Sequence, residues 1–109
     1  MDGMGIDGGE VRVLAAARVK PEARADFAAL VAAFVATTRR EDGCILYDIF
    51  ASVTDPCAFV AVERWTHRAA AESHLAAPHT QAFLAALAGA SDGTPASITL
   101  LSGRVESLL

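Results

Sequence analysis

The spacing of apolar residues along this chain switches repeatedly between strand-like and helix-like periods. Val11 to Val19 is a short apolar run with Arg12 and Arg18 near its ends, and it predicts a strand. Lys20-Pro21-Glu22 punctuates it. Pro21 suits a first helical turn, where a missing N–H costs nothing, and Glu22 suits the positive end of the helix dipole. Phe27, Leu30, Val31, Phe34 and Val35 then recur at helical spacing, predicting a helix to about Thr38. Arg39-Arg40 favours its C-terminal end, and Glu41-Asp42-Gly43 stops it. Cys44 to Ser52 alternates as a second strand, with Ile45, Tyr47 and Ile49 on one face and Leu46, Asp48 and Phe50 on the other. Thr54-Asp55-Pro56 is a turn into a third strand, Cys57 to Trp65. There Phe59, Ala61, Glu63 and Trp65 share a face opposite Val60, Val62 and Arg64. Thr66 is placed to cap a helix over Arg68 to Ala77, and Pro78 interrupts it. Gln81 to Ala88 resumes as helix with Phe83, Leu84 and Leu87 on one stripe. Gly89 to Pro95 is a loop, and Ile98 to Val105 is a last strand.

The order strand, helix, strand, strand, helix, strand is the split βαβ arrangement. It predicts an α+β, ferredoxin-like βαββαβ domain, with a four-stranded antiparallel sheet and helices on one face only. Residues 11–109 form this single domain, and residues 1–10, with Asp2, Asp7, Glu10 and four glycines, read as a flexible tail. The middle strands are apolar on both faces, so the face opposite the helices needs a cover. That predicts a homodimer packed sheet against sheet. The 53% hydrophobic share points the same way, being high for 109 residues. A net charge of −4 gives no basic footprint, so no nucleic acid is expected. No apolar run approaches the roughly 20 residues a bilayer demands, and the N-terminus lacks a signal-peptide pattern. No membrane is expected, and the expected compartment is cytoplasmic. Cys44 and Cys57 make no disulfide framework; they read as small buried hydrophobes, placed roughly across the hairpin from each other.

The densest chemistry is Glu63-Arg64-Trp65, followed nine residues later by His74-Leu75-Ala76-Ala77-Pro78-His79. His74, about two turns into its helix, is the first candidate for a base or substrate anchor; the plainer alternative is a histidine bonded to a carbonyl. His79 either reaches the same pocket or hydrogen-bonds the backbone at the Pro78 break. Five residues apart, the two would diverge by ~140° on an unbroken helix, which the Pro78 break either corrects or leaves, and no metal is expected. Glu63 among Phe59, Ala61 and Trp65 has a raised pKa if unpaired, and is otherwise half of a salt bridge, for instance with Arg18. Trp65 offers a flat wall and one N–H, or is a core plug. Tyr47 can aim its hydroxyl at the same space. Phe59 and Phe83 read as core or pocket wall, and Arg39 with Arg40 as a solvated helix end.

These pieces together resemble the antibiotic biosynthesis monooxygenase family. The matching segments are Arg18-Val19-Lys20-Pro21, the corner from Thr38 to Cys44, Tyr47, Asp55-Pro56, Phe59 to Trp65, and His74 with Pro78-His79 leading to Phe83. The resemblance implies a dimeric α+β barrel. It also implies a monooxygenase that oxidises a small phenol, hydroquinone or anthrone with molecular oxygen and no cofactor. On that reading His74, His79 and Glu63 are catalytic, and Trp65, Tyr47, Phe59 and Phe83 bind the substrate. A haem-degrading branch looks to use an Asn, a Trp and a His at positions that here hold Ala17, His74 and Leu84, so that role does not carry over. A branch acting on the phosphorylated autoinducer-2 signal is similar through Glu63, His74 and His79. The remaining alternative is a non-catalytic ligand-binding or stress-response barrel.

Overall fold

The computed structural model describes residues 9–109, and it has the ferredoxin-like α+β architecture. Strand β1 (Val11–Arg18) leads through a single turn of 3-10 helix (Pro21–Ala23) into α1 (Arg24–Thr38). The hairpin β2 (Cys44–Ala51) and β3 (Ala58–Trp65) follows, then α2 (Arg68–Ala76), α3 (Pro78–Ala90) and β4 (Ser97–Leu101). The sheet is antiparallel, in the order β2-β3-β1-β4. Of the predicted tail, residues 1–8 lie outside the described residues. Glu10 is tied down: its carboxylate accepts from Arg64 Nε at 2.6 Å and Arg64 Nη2 at 3.0 Å.

Strict alternation along β3 sorts its side chains. Phe59, Ala61, Glu63 and Trp65 are buried under the helices, while Val60, Val62 and Arg64 are only half-buried on the opposite face. From above, α1 lays Phe27, Val31, Phe34 and Val35 onto that buried face, and α3 adds Phe83 and Leu87. The Phe34 and Phe83 rings stack at 4.0 Å, and Phe27 meets Phe59 edge-on at 5.0 Å. Arg18 joins the bottom of the sheet to two connections, pairing with Asp55 and Asp92, and so is unavailable to Glu63.

Four local expectations are corrected. A bulge between Cys44 and Leu46 drops Ile45 out of the pairing, and Ile45 is exposed rather than beside Tyr47 in the core. The cap of α2 is His67, whose Nδ1 accepts from Ala70 N at 3.2 Å; Thr66 sits one residue too early. The last strand ends at Leu101 rather than Val105, before Ser102 and Gly103, whose φ of 102 breaks the extended run. Cys44 faces Trp65 at one end of the hairpin while Cys57 lies past the other, so they are not cross-strand neighbours.

The corner after α1 decides where the site forms. Glu41 N donates to Thr38 O at 3.0 Å, Cys44 N to Glu41 O at 3.2 Å, and Thr66 N to Gly43 O at 2.8 Å. Gly43 has φ 82, and a Cβ there would lie 2.6 Å from Ala70 Cβ and 2.8 Å from Thr66 Oγ1. Gly43→Ala therefore combines a left-handed backbone penalty with a backbone-anchored clash. The expected loss is roughly 2 kcal/mol or more, read as a lower urea midpoint; an unchanged midpoint would refute this account of the corner.

Candidate functional site

Between the helices and the buried face of the sheet lies an open-mouthed cavity. It is walled by aromatic and small apolar side chains, among them Ala15, Ala17, Phe27, Phe34, Phe59 and Phe83. The space is about 620 Å³, solvent at its mouth included. Three of its lining groups are titratable: Tyr47, Glu63 and His74. They reach it from β2, β3 and α2 because strand alternation turns Tyr47 and Glu63 inward and α2 lies across the end of the sheet. Among the described residues, no Arg or Lys lines the cavity.

His74 is the hinge of this arrangement. Its ring is 3% exposed and wedged between Trp65, Tyr47 and Phe34, with centroid distances of 4.9, 5.2 and 5.7 Å. Nδ1 donates to Glu41 Oε2 at 2.7 Å. Glu41 lies outside the cavity wall, so the ring spans that wall with Nδ1 on the Glu41 side. Nε2 makes no hydrogen bond to a described residue. Among the described residues, Arg12 Nε is the one sealed side-chain polar atom without a partner. His74 Nε2, Glu63 Oε2 and Tyr47 Oη, which have no hydrogen-bond partner among the described residues, are therefore not sealed, and all three belong to residues that line the cavity. A carboxylate can only accept, so Glu41 holds the proton on Nδ1 and leaves a lone pair on Nε2. Burial lowers the His74 pKa against the opposing pull of Glu41, so the ring is neutral near pH 7.

Glu63 is 5% exposed. Its Oε1 accepts from Trp65 Nε1 at 2.9 Å. Burial pushes its pKa to about 7 despite that bond, with the Glu41 charge adding to the rise. It can therefore hold or release a proton near neutrality. Burial, then the Glu63 charge, raises the Tyr47 pKa, so Tyr47 is a neutral phenol and a donor.

Of the expected site residues, Glu63, His74, Tyr47, Phe59 and Phe83 line the cavity, and two do not. Trp65 is fully buried behind His74, and its indole N–H is spent on Glu63, so it is a supporting wall rather than a substrate wall. His79 lies outside the cavity too, where its Nε2 donates to the same Glu41 Oε2 at 2.9 Å. The break before Pro78 removes the divergence that an unbroken helix would impose on the two histidines. Ala77 is extended (φ −64, ψ 143) between α2 and α3, and the new helix axis swings His79 back to the carboxylate that His74 uses. Glu41 itself was read only as a helix stop. One signal marked it: an acid just past a helix C-terminus faces the negative end of the dipole and needs a proton donor nearby. Thr38 and Thr80, both buried, complete the surroundings, with hydroxyls 3.5 Å from His79 Nε2 and 3.4 Å from His74 Nδ1. Arg39 is more than a solvated end, since its Nε donates to Tyr47 O at 2.9 Å and so braces β2 beside the site.

The sequence model of the antibiotic biosynthesis monooxygenase family matches residues 10–86. The chain belongs to that family. Its relatives include Rv0793 of Mycobacterium tuberculosis, 39% identical over 69 residues, which are 63% of this chain and 67% of the relative. YcnE of Bacillus subtilis is 37% identical over 68 residues, covering 62% of this chain and 72% of the relative. Both carry provisional names as monooxygenases. An uncharacterised Synechocystis protein is 34% identical over 67 residues, and the matched stretch is 46% of its length. The solved structure of Rv0793 superposes with a TM-score of 0.81 at 31% identity, covering 91% of this chain and 99% of that one. A family protein from Deinococcus radiodurans superposes with a TM-score of 0.83 at 27% identity, over 91% of this chain and 98% of that one. Family and relatives together support an activity of monooxygenase type. No helix among the described residues is long and apolar enough to cross a membrane.

Proposed function

We propose that this chain is a cofactor-independent monooxygenase for a small aromatic substrate with an ionisable position, a phenol, hydroquinone or anthrone. The observation that carries the reading is His74, oriented by Glu41 on one side and offering an unprotonated Nε2 to an aromatic-walled cavity on the other. Ground-state oxygen accepts an electron from an anion far more readily than from the neutral substrate. In the proposed sequence His74 Nε2 removes the acidic proton, and the apolar walls hold the anion against oxygen away from water. The anion passes one electron to oxygen, and the two radicals combine to a peroxide at carbon. Loss of water from that peroxide, with the proton returned through Glu63 or His74, leaves the carbonyl product. For an anthrone, one CH2 and one O2 become one C=O and one water. Phe59 and Phe83 pack the rings, and Tyr47 donates to the developing oxygen anion.

The absence of cationic lining and the presence of Glu63 disfavour a phosphorylated signal as substrate. Oxygen uptake by metal-stripped protein with hydroquinones and anthrones tests the reading, with boiled protein as control. Uptake that survives chelation and requires folded protein supports it. Uptake no faster than autoxidation across the panel would transfer the weight to a ligand-binding barrel. The two free thiols, Cys44 and Cys57, suit a reducing compartment such as the cytoplasm.

The subunit is proposed to pair as a homodimer through the uncovered sheet face. Leu14, Leu46, Phe50 and Leu101 are exposed there beside Val60 and Val62, an apolar patch that soluble monomers seldom leave wet. Phe50, on the edge strand β2, is 51% exposed and pairs in register with Val60 of the patch. Phe50→Asp should give monomers in light scattering at micromolar concentration, where the parent runs as a dimer. A parent that is itself monomeric would end this part of the proposal.

A further inference from the structure

Behind His74, on the side away from the cavity, two imidazoles and a carboxylate converge from three elements. Glu41 comes from the corner after α1, His74 from α2 and His79 from the first turn of α3. Their ligand atoms all lie within 4.8 Å of one another. We infer that Glu41, His74 and His79 form a binding site for a divalent transition metal such as zinc, and that the ion opposes the proposed base by claiming His74 Nδ1. The second half rests on the reading given under Proposed function.

The donor set suits such an ion. Two imidazole nitrogens and a carboxylate oxygen are a common three-ligand zinc set that leaves one position open. Ligand atoms about 2.0–2.2 Å from a tetrahedral ion stand roughly 3.3–3.5 Å apart. Here Glu41 Oε2 is 2.7 Å from His74 Nδ1 and 2.9 Å from His79 Nε2, so spreads of under an ångström on these two edges admit the ion, and the two imidazole nitrogens lie within 4.8 Å of each other. The rings are preorganised: Phe34 packs against both, 5.7 Å from His74 and 5.6 Å from His79. Both Glu41 and His79 are partly exposed, so an ion reaches the site from solvent without crossing the substrate cavity.

The consequence follows from imidazole chemistry. Coordination through Nδ1 needs its lone pair, so the ring proton must move to Nε2. A metal-bound His74 therefore presents an N–H to the cavity in place of a base. Metal binding and proton abstraction then exclude each other, and zinc acts as a reversible inhibitor from outside the cavity.

The test is titration of tag-free, chelator-treated protein with zinc by calorimetry, and with cobalt(II) by its visible d–d absorption. One ion per chain is expected, with tetrahedral-type cobalt bands. Glu41→Gln and His79→Ala, both at partly exposed positions, should each weaken binding roughly 10- to 100-fold. Nitrogen-15 spectra of the His74 ring should show its proton moving from Nδ1 to Nε2 when zinc is added. No stoichiometric uptake would overturn the site. So would uptake untouched by either variant, which would place the ion elsewhere, for example on a thiol. Binding and ring spectra do not depend on oxygen uptake, so zinc bound by an inactive protein keeps the site and removes the oxygenase reading. Full oxygenase turnover with the site loaded would remove the antagonism.

Discussion

His74→Asn is expected to lower turnover of an anthrone or hydroquinone by ~10²- to 10⁴-fold, the usual contribution of a positioned general base. Asparagine is the informative replacement because its amide N–H stands near the place of Nδ1–H. The bond to Glu41 Oε2 can persist while the Nε2 lone pair disappears. His74→Ala would instead empty a space bounded by Trp65, Tyr47 and Phe34 and orphan part of the Glu41 interaction, mixing loss of packing with loss of chemistry. Oxygen uptake with His74→Asn, beside a urea unfolding curve, separates the two. A large fall in kcat with a similar unfolding midpoint identifies the base. Equal losses of activity and stability would make His74 a structural residue, and undiminished turnover would move the base to Glu63.

Glu63→Gln is expected to alter the pH dependence of stability between about pH 4.5 and pH 8.5. Burial raises Glu63 from 4.5 to about 7. Over that interval the folded protein keeps a proton that the unfolded chain has released. The stabilisation from this preference is complete below about pH 4.5 and is lost as pH rises through about 7. Above that, the folded state must hold an ionised carboxylate in an apolar cavity. At 1.36 kcal/mol per pH unit, the whole effect is about 3 kcal/mol. Glutamine keeps a carbonyl oxygen for Trp65 Nε1–H and does not titrate. The difference in unfolding free energy between Glu63→Gln and parent should thus shift by about 3 kcal/mol in favour of the variant between pH 4.5 and pH 8.5. Contributions from titrating groups not coupled to Glu63 cancel in that difference. Parallel stability curves would mean that Glu63 is solvated or paired in solution.

Which residues turn inward was legible from spacing alone. A strand has a period of two, so once Phe59 is inside, Ala61, Glu63 and Trp65 must follow it. Likewise the stripe through Phe27, Val31, Phe34 and Val35 specified the face α1 buries, although Leu30, predicted on the same stripe, is exposed. The motif from Glu63 to His79 marked the right end of the fold for the same reason: few buried positions carry acid or imidazole unless something receives their hydrogen bonds. Ile45 and Thr66 were misplaced because a bulge and a cap each shift pairing by one residue, and spacing does not reveal such a shift.

By itself, then, the sequence determined the order and faces of the elements and the presence of a carboxyl and an imidazole within the core. These follow from local periodicity and from the cost of wetting apolar surface. Only the tertiary structure decided that Glu41 is the partner of His74, that His79 meets the same oxygen, and that Trp65 stands behind the site rather than in it. Glu41 and His74 are 33 residues apart. Their meeting depends on how the Gly43 corner and the extended Ala77 link aim two helices, which is set by packing between elements and not by the period within any one of them.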